Sequence, residues 1–261
     1  MTTINVVLPG AWPVLGVWLW VLGGVMLGMP LAMADCEDPP RARINYLGCD
    51  LAERDFAGAD LRDAVLRGAN LQGANLQGAR LSGADVGRAN LRGANLTRAR
   101  LIRTRLVAAD LNRANLTGAL MSGVRLSEAD LSGADLQGAQ LRDGQLYATR
   151  LVGANLGGAD LSGANLREAN LSQIDGRGAR FRQANLNQAI FEDADLSGAD
   201  FYAAALPRAD LLGANLSRAD LSRANLQEAI IDGADFTETQ LGGTLWIDRR
   251  RCRSGSVEVC R

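Results

Sequence analysis

The sequence predicts an all-β solenoid, a parallel β-helix of four-sided coils, and three observations predict it. A large apolar residue recurs at every fifth position, a small one stands two places before it, and the register runs unbroken from Leu51 to Trp246. In LRGANLQGANLQGARLSGADV, residues 66–86, the large residues are Leu66, Leu71, Leu76, Leu81 and Val86. On an α-helix five residues advance about 500°, so the leucines would smear around the cylinder. On a flat strand an odd spacing sends them to alternate faces, and Gly68, Gly73, Gly78 and Gly83 weaken either regular element. A chain that turns by about 90° every five residues, always in one sense, points every leucine at one axis. Four pentapeptides then close a coil that stacks on the next at about 4.8 Å.

Residues 1–34 precede this pattern and differ from it. They carry no charged side chain and contain the apolar run WPVLGVWLWVLGGVMLGMPLAM. Ala32-Met33-Ala34 has the small-x-small form that a signal peptidase accepts, so an export signal cleaved after Ala34 is expected. The run is also long enough for an uncleaved N-terminal anchor, and under either reading the repeats lie outside the cytoplasm, periplasmic or extracellular. A membrane contact is expected only through that uncleaved segment.

Residues 35–50 form an N-terminal cap and residues 247–261 a C-terminal cap or tail. The four cysteines lie only in these flanks: Cys36 and Cys49 before the repeat, Cys252 and Cys260 after it. An even number of thiols at the ends of an exported chain reads as two local disulfides, Cys36 to Cys49 and Cys252 to Cys260. A solenoid tens of ångströms long between the pairs excludes cross-pairing. With no His and no CxxC spacing, a metal site has little support.

Between the caps, residues 51–246 hold forty units in one register, about ten coils. Calling the large residue i, position i−2 is nearly always Ala, as at Ala59, Ala69, Ala94 and Ala164, because a second inward side chain must fit between the leucines. Position i−1 is usually Asp or Asn, and i+2 is often Gly, which suits a corner's backbone angles. Ala-(Asp/Asn)-Leu-x-x held over almost 200 residues resembles the pentapeptide repeat family. The resemblance implies a right-handed quadrilateral parallel β-helix.

Departures from the pattern mark irregular places. Cys49 and Arg54 take inward i−2 positions in the first coil, which predicts a splayed coil covered by the Cys36 to Cys49 segment. Trp246 is expected to lid the last coil. Ile174 and Gly176 stand where Ala and Leu belong, so the core volume is expected to shift to i−2 within a distorted face.

Folding the sequence at twenty residues per coil shows what each face presents. On face two the i−1 column reads Asp55, Asn75, Asn95, Asn115, Asp135, Asn155, Asp175, Asp195, Asn215, Asp235. Stacked amides and carboxylates form a hydrogen-bonded ladder and accept from corner N–H groups. A cation between Asp175 and Asp195 is the rival reading, and two carboxylates mark no coordination sphere. Face three carries Arg80 and Arg100, and face four Arg105 and Arg125, with Arg98 and Arg103 close by. From Val86 to Ala109 there are six arginines and no acid. This is the candidate binding patch, whose guanidinium forks suit phosphate, sulfate or carboxylate. The bland alternative is a solvated face pairing in part with Asp85 and Asp110. Ile102, Val107 and Leu120 beside the arginines give the patch an apolar component.

Composition narrows the function. The chain of 261 residues is 47% hydrophobic but only 5% aromatic, and its formal net charge is −1. Near-neutrality argues against bulk attraction to nucleic acid or anionic membrane, so a charge-based partner must read a local patch. Without histidine, with paired cysteines and with no serine beside a candidate base, enzyme chemistry has no machinery, and no cofactor is expected. Three readings follow. The first is an exported rigid binding or scaffold module for an envelope protein or anionic polymer; the second is a mechanical spacer or membrane-tethered structural protein. The third is the mode the resemblance brings, mimicry of B-form DNA toward DNA gyrase. That mode needs a cytoplasmic acidic rod with a C-terminal helix, against which stand the export segment, the arginines and the short tail RRRCRSGSVEVCR.

Overall fold

The structure is a computed structural model in which residues 36–261 are described. The expected export segment, residues 1–34, lies outside them. Each pentapeptide contributes one bridge residue and a two-residue turn, and each bridge residue pairs in parallel with the residue twenty positions on, from Asn45↔Val65 to Asn225↔Leu245. A coil therefore has four faces: face one contains Asp50 and Asn70, face two Asp55 and Asn75, face three Asp60 and Arg80, face four Val65 and Asp85.

Four backbone bonds per pentapeptide hold the stack, one of them from the i+2 N–H to the next coil, as Gly73 makes to the Arg92 carbonyl at 2.9 Å. The Leu71 N–H donates to the Asn90 carbonyl of the next coil at 2.6 Å, and Asn90 N–H returns to the Ala69 carbonyl at 3.0 Å. Ala74 N–H closes the turn on Leu71 at 3.0 Å. The turn puts i+2 in the left-handed region, where Gly73 has φ 64° and Arg103 has φ 56°. Glycine is preferred there because it lacks the Cβ penalty, yet many corners accept a long polar residue.

Leu at i is buried throughout and Ala at i−2 nearly throughout, as at Leu116 and Ala114, with Ala59 and Ala234 half-buried near the ends. Each buried leucine contributes roughly 2 kcal/mol before chain entropy is subtracted. Thr104, Thr149, Thr239 and Thr244 replace Ala in that inner column. Each turns its hydroxyl onto a carbonyl of the preceding coil, as Thr104 does to Leu81 at 2.8 Å, so no buried polar group is left orphaned. At the Gly176 departure, a Cβ on the glycine would lie 3.3 Å from Ile174 Cδ1 and 2.9 Å from Leu196 Cδ2, so these two side chains occupy the missing leucine's volume. The ladder bond from Gly176 N–H to Asp195 persists at 2.7 Å. Among the described turns, Ile174 lacks the closing bond that Ala169 and Ala179 make.

Both ends depart from the plain coil. The ladder already includes Asn45, one pentapeptide before Leu51, and Tyr46 fills the inward position against Phe56 with ring centroids 6.2 Å apart. Tyrosine escapes a search for leucine-like residues because its ring packs inside while its hydroxyl still needs a partner, here the Asp38 carbonyl. Disulfides join Cys36 to Cys49 and Cys252 to Cys260. Arg54, half-buried, donates to the Cys36 carbonyl and the Glu37 carboxylate, both at 2.7 Å, so the inward-column arginine ties the cap down. At the other end the tail returns antiparallel, pairing Val257 with Gln240 and Arg251 with Leu245 on faces three and four. Trp246 stands edge-on to Phe236 at 5.5 Å, and both are half-buried.

Candidate functional site

The coil geometry places the six predicted arginines in one band. Arg80 and Arg100 are bridged neighbours on face three, and Arg105 and Arg125 are bridged neighbours on face four. Arg98 and Arg103 occupy left-handed corners on either side of face three. Their stems lie over glycines of the next coil: a Cβ on Gly118 would be 3.7 Å from Arg98 Cγ, and one on Gly123 would be 3.4 Å from Arg103 Cγ. The arginine stems thus pass over these corners at ordinary van der Waals distance. All six guanidiniums are exposed.

Neighbours that the linear reading passed over complete the band. A shallow depression on face three is lined by Arg62, Arg80, Ser82 and Arg100. A second, on face four, brings Arg67 beside Arg105 and Arg125, together with Arg88 of the arginine run, Asp85 and Val107. Arg62 and Arg67 sit one coil before the run that the sequence singles out, so only the twenty-residue offset brings them in.

Electrostatics separates these groups. Arg62 forks onto Asp60 with contacts of 2.7 and 2.6 Å and holds that carboxyl down to about 2. Across residues 86–125 there are eight arginines against one acid, Asp110, a net charge of +7. Among the described residues, only Arg92 of the eight forms an ion pair, with Asp110 at 3.2 Å. Asp85 does not pair with an arginine; its carboxylate accepts from the Gly87 N–H at 3.1 Å. The bland expectation of partial neutralisation by Asp85 and Asp110 therefore holds for one residue in eight.

Of the two roles expected of the face-two column, acceptance from corner N–H groups runs through all ten coils and the side-chain ladder is partial. Every one of its ten side chains accepts from the backbone N–H two residues on, from Ala57 to Asp55 at 3.0 Å through Thr237 to Asp235 at 2.8 Å. Side-chain rungs form at Asn75 to Asp55, Asn95 to Asn75 and Asn215 to Asp195. Among the described residues no rung is donated by Asp135, Asp175, Asp195 or Asp235, which cannot donate, nor by Asn115 or Asn155, so the constant function is to satisfy the corner N–H. Asp175 is forked by Arg177 at 2.8 and 2.6 Å, which keeps its carboxyl below the usual range. Among the described residues, no three His, Cys, Asp or Glu side chains gather around a point suited to a metal ion.

Comparison with known proteins agrees with this architecture. The sequence profile of the family described as pentapeptide repeats matches in eight copies, over residues 48–83, 74–113, 109–143, 145–175, 177–212 and 208–244. No curated protein matches the sequence. Among solved structures, the chain is similar to HetL, a pentapeptide repeat protein involved in heterocyst differentiation regulation from the cyanobacterium Nostoc sp. strain PCC 7120. The identity is 34%, over 76% of this chain and 92% of that one, with a TM-score of 0.47. It is also similar to QnrB1, a plasmid-mediated fluoroquinolone resistance protein, at 19% identity over 76% and 93% of the two chains, with a TM-score of 0.51. The latter likeness supports the fold alone, a right-handed quadrilateral β-helix.

Proposed function

The chain belongs to the pentapeptide repeat family, and we propose that it is an exported, non-enzymatic binding module whose arginine band docks an envelope protein or anionic polymer. The observation that carries this reading is the seven arginines in residues 86–125 that form no ion pair among the described residues. A fold whose other demands are met by leucine, alanine and Asx turns does not require them. The residue 1–34 segment and the two cap disulfides favour an oxidising destination. A net +7 over two coils runs counter to an acidic DNA-mimicking surface.

The test is a crosslinking pull-down from the cell envelope with the purified protein beside an Arg100/Arg103/Arg105→Glu variant. A partner captured only by the unaltered protein identifies the working surface. Identical captures would move the function to another face, and no capture by either would favour the spacer.

A further inference from the structure

Resting on that reading of the band, we propose that its ligand is a flexible linear glycan carrying sulfate or phosphate esters, which crosses the corner between faces three and four instead of following the solenoid axis. The first support is local frustration. Like charges on directly opposed residues are destabilising. Where carboxylates face each other, at Asp110↔Asp130, Asp175↔Asp195 and Asp200↔Asp220, one member is held by an arginine: Arg92, Arg177 or Arg182. Asp60 and Asp85 stand opposite Arg80 and Arg105 on the ladder, but Asp60 is forked by Arg62 and Asp85 turns to the Gly87 N–H, while Arg100 and Arg125 face Leu120 and Gln145 on their far sides, so among the described residues neither arginine rung has an ion-paired counter-charge. An external anion would supply it.

Shape selects the kind of anion. The two rungs lie on adjacent sides of a four-sided coil, with Arg103 on the corner between them. A planar partner such as a bilayer surface rests on one side at a time, whereas a flexible chain bends over the corner and reaches both depressions. The same corner carries Asp63 one coil pair before Arg103 and Asp143 one coil pair after it, and face three turns acidic again at Asp160. The positive strip is therefore short along the axis and broad around it. Chemistry narrows the class further. Residues 80–125 contain no Phe, Tyr or Trp, so a single-stranded nucleic acid would find no ring on which to stack its bases. Guanidinium forks match the oxygens of a sulfate or phosphate ester without such a platform.

The test measures the binding of the purified protein to a heparin octasaccharide, a heparin disaccharide, an oligothymidylate of the octasaccharide's charge, and anionic phospholipid vesicles. The octasaccharide is expected to bind with strong salt dependence, and the disaccharide, too short to reach both depressions, about tenfold or more weakly. Arg80/Arg100→Gln and Arg105/Arg125→Gln should each weaken octasaccharide binding by about tenfold or more, while Arg177/Arg182→Gln, with its melting curve checked, leaves it unchanged. Equal affinity for the two glycans, tighter binding of the oligothymidylate or the vesicles, or no binding of the octasaccharide would overturn the inference. If the octasaccharide fails while the band still captures an envelope protein, the binding-module reading survives and only the glycan assignment falls.

Discussion

Residues 86–125 and residues 126–246 share one backbone and one inner core but use arginine in opposite ways. The downstream coils contain nine arginines and seventeen acids, and six of those arginines are ion-paired: Arg142, Arg167, Arg177, Arg182, Arg208 and Arg218. Arg223 lies 5.6 Å from the Tyr202 ring, which Arg182 also covers at 4.5 Å. In residues 86–125 one arginine in eight is paired. Ladder bonds and Asx turns satisfy the backbone in the same way in both regions, Ile174 apart, so the difference is confined to what the surface is left to do. A repeat fold separates the two jobs: inner columns make the rod, and outer columns are free to vary.

The largest effect expected comes from breaking that separation inside the arginine-rich coils. Leu116 is fully buried, and an unpaired carboxylate in its place costs several kcal/mol. Leu116→Asp is expected to open several neighbouring coils, seen as loss of protection in hydrogen exchange. Arg103→Glu, one coil before it at an exposed corner, should keep the melting temperature within about 2 °C. Equal losses would refute the assignment of the inner column.

Next in size is the Ile174/Gly176 exchange in the downstream coils. Gly176→Leu alone brings a Cβ within 2.9 Å of Leu196 Cδ2, and overpacking of this kind costs about 1–3 kcal/mol. Ile174→Ala alone opens a cavity and costs about 2–5 kcal/mol. The double variant restores the ordinary repeat and should recover most of both losses in a denaturant melt; simple additivity would contradict the exchange.

A smaller effect concerns the tail. Glu228 accepts from Arg208 and Arg249, each at 2.8 Å, and these contacts hold its carboxyl down to about 2. Because the folded value is depressed, the contribution of these pairs is complete above the ordinary glutamate range and is lost as the pH falls toward 2. An NMR titration should place the Glu228 midpoint near 2 in the intact protein and higher in Arg249→Ala.

The comparison also shows which physics a linear sequence displays. The period of five, the alanine column and the cysteine pairs are visible because each follows from one residue type at a fixed spacing. Tyr46 in the ladder was hidden because its role depends on Asp38, eight residues away and folded over it. The contribution of Arg62 and Arg67 depends on neighbours one coil away, outside the arginine run that the sequence displays. Which arginines pair is decided by distances between columns, as at Arg142 and Asp160, 2.6 Å apart across coils.

The seven arginines of residues 86–125 without an ion pair among the described residues carry no structural duty, and a matched pair of thermal melts decides this. Arg100/Arg103/Arg105→Glu should melt within about 2 °C of the unaltered protein, or above it as like charges are relieved. Arg142/Arg177/Arg182→Glu removes the partners of Asp160, Asp175 and Asp200 and should melt lower by about 5 °C or more. If the first variant loses as much as the second, those arginines belong to the scaffold and the band is not a free surface.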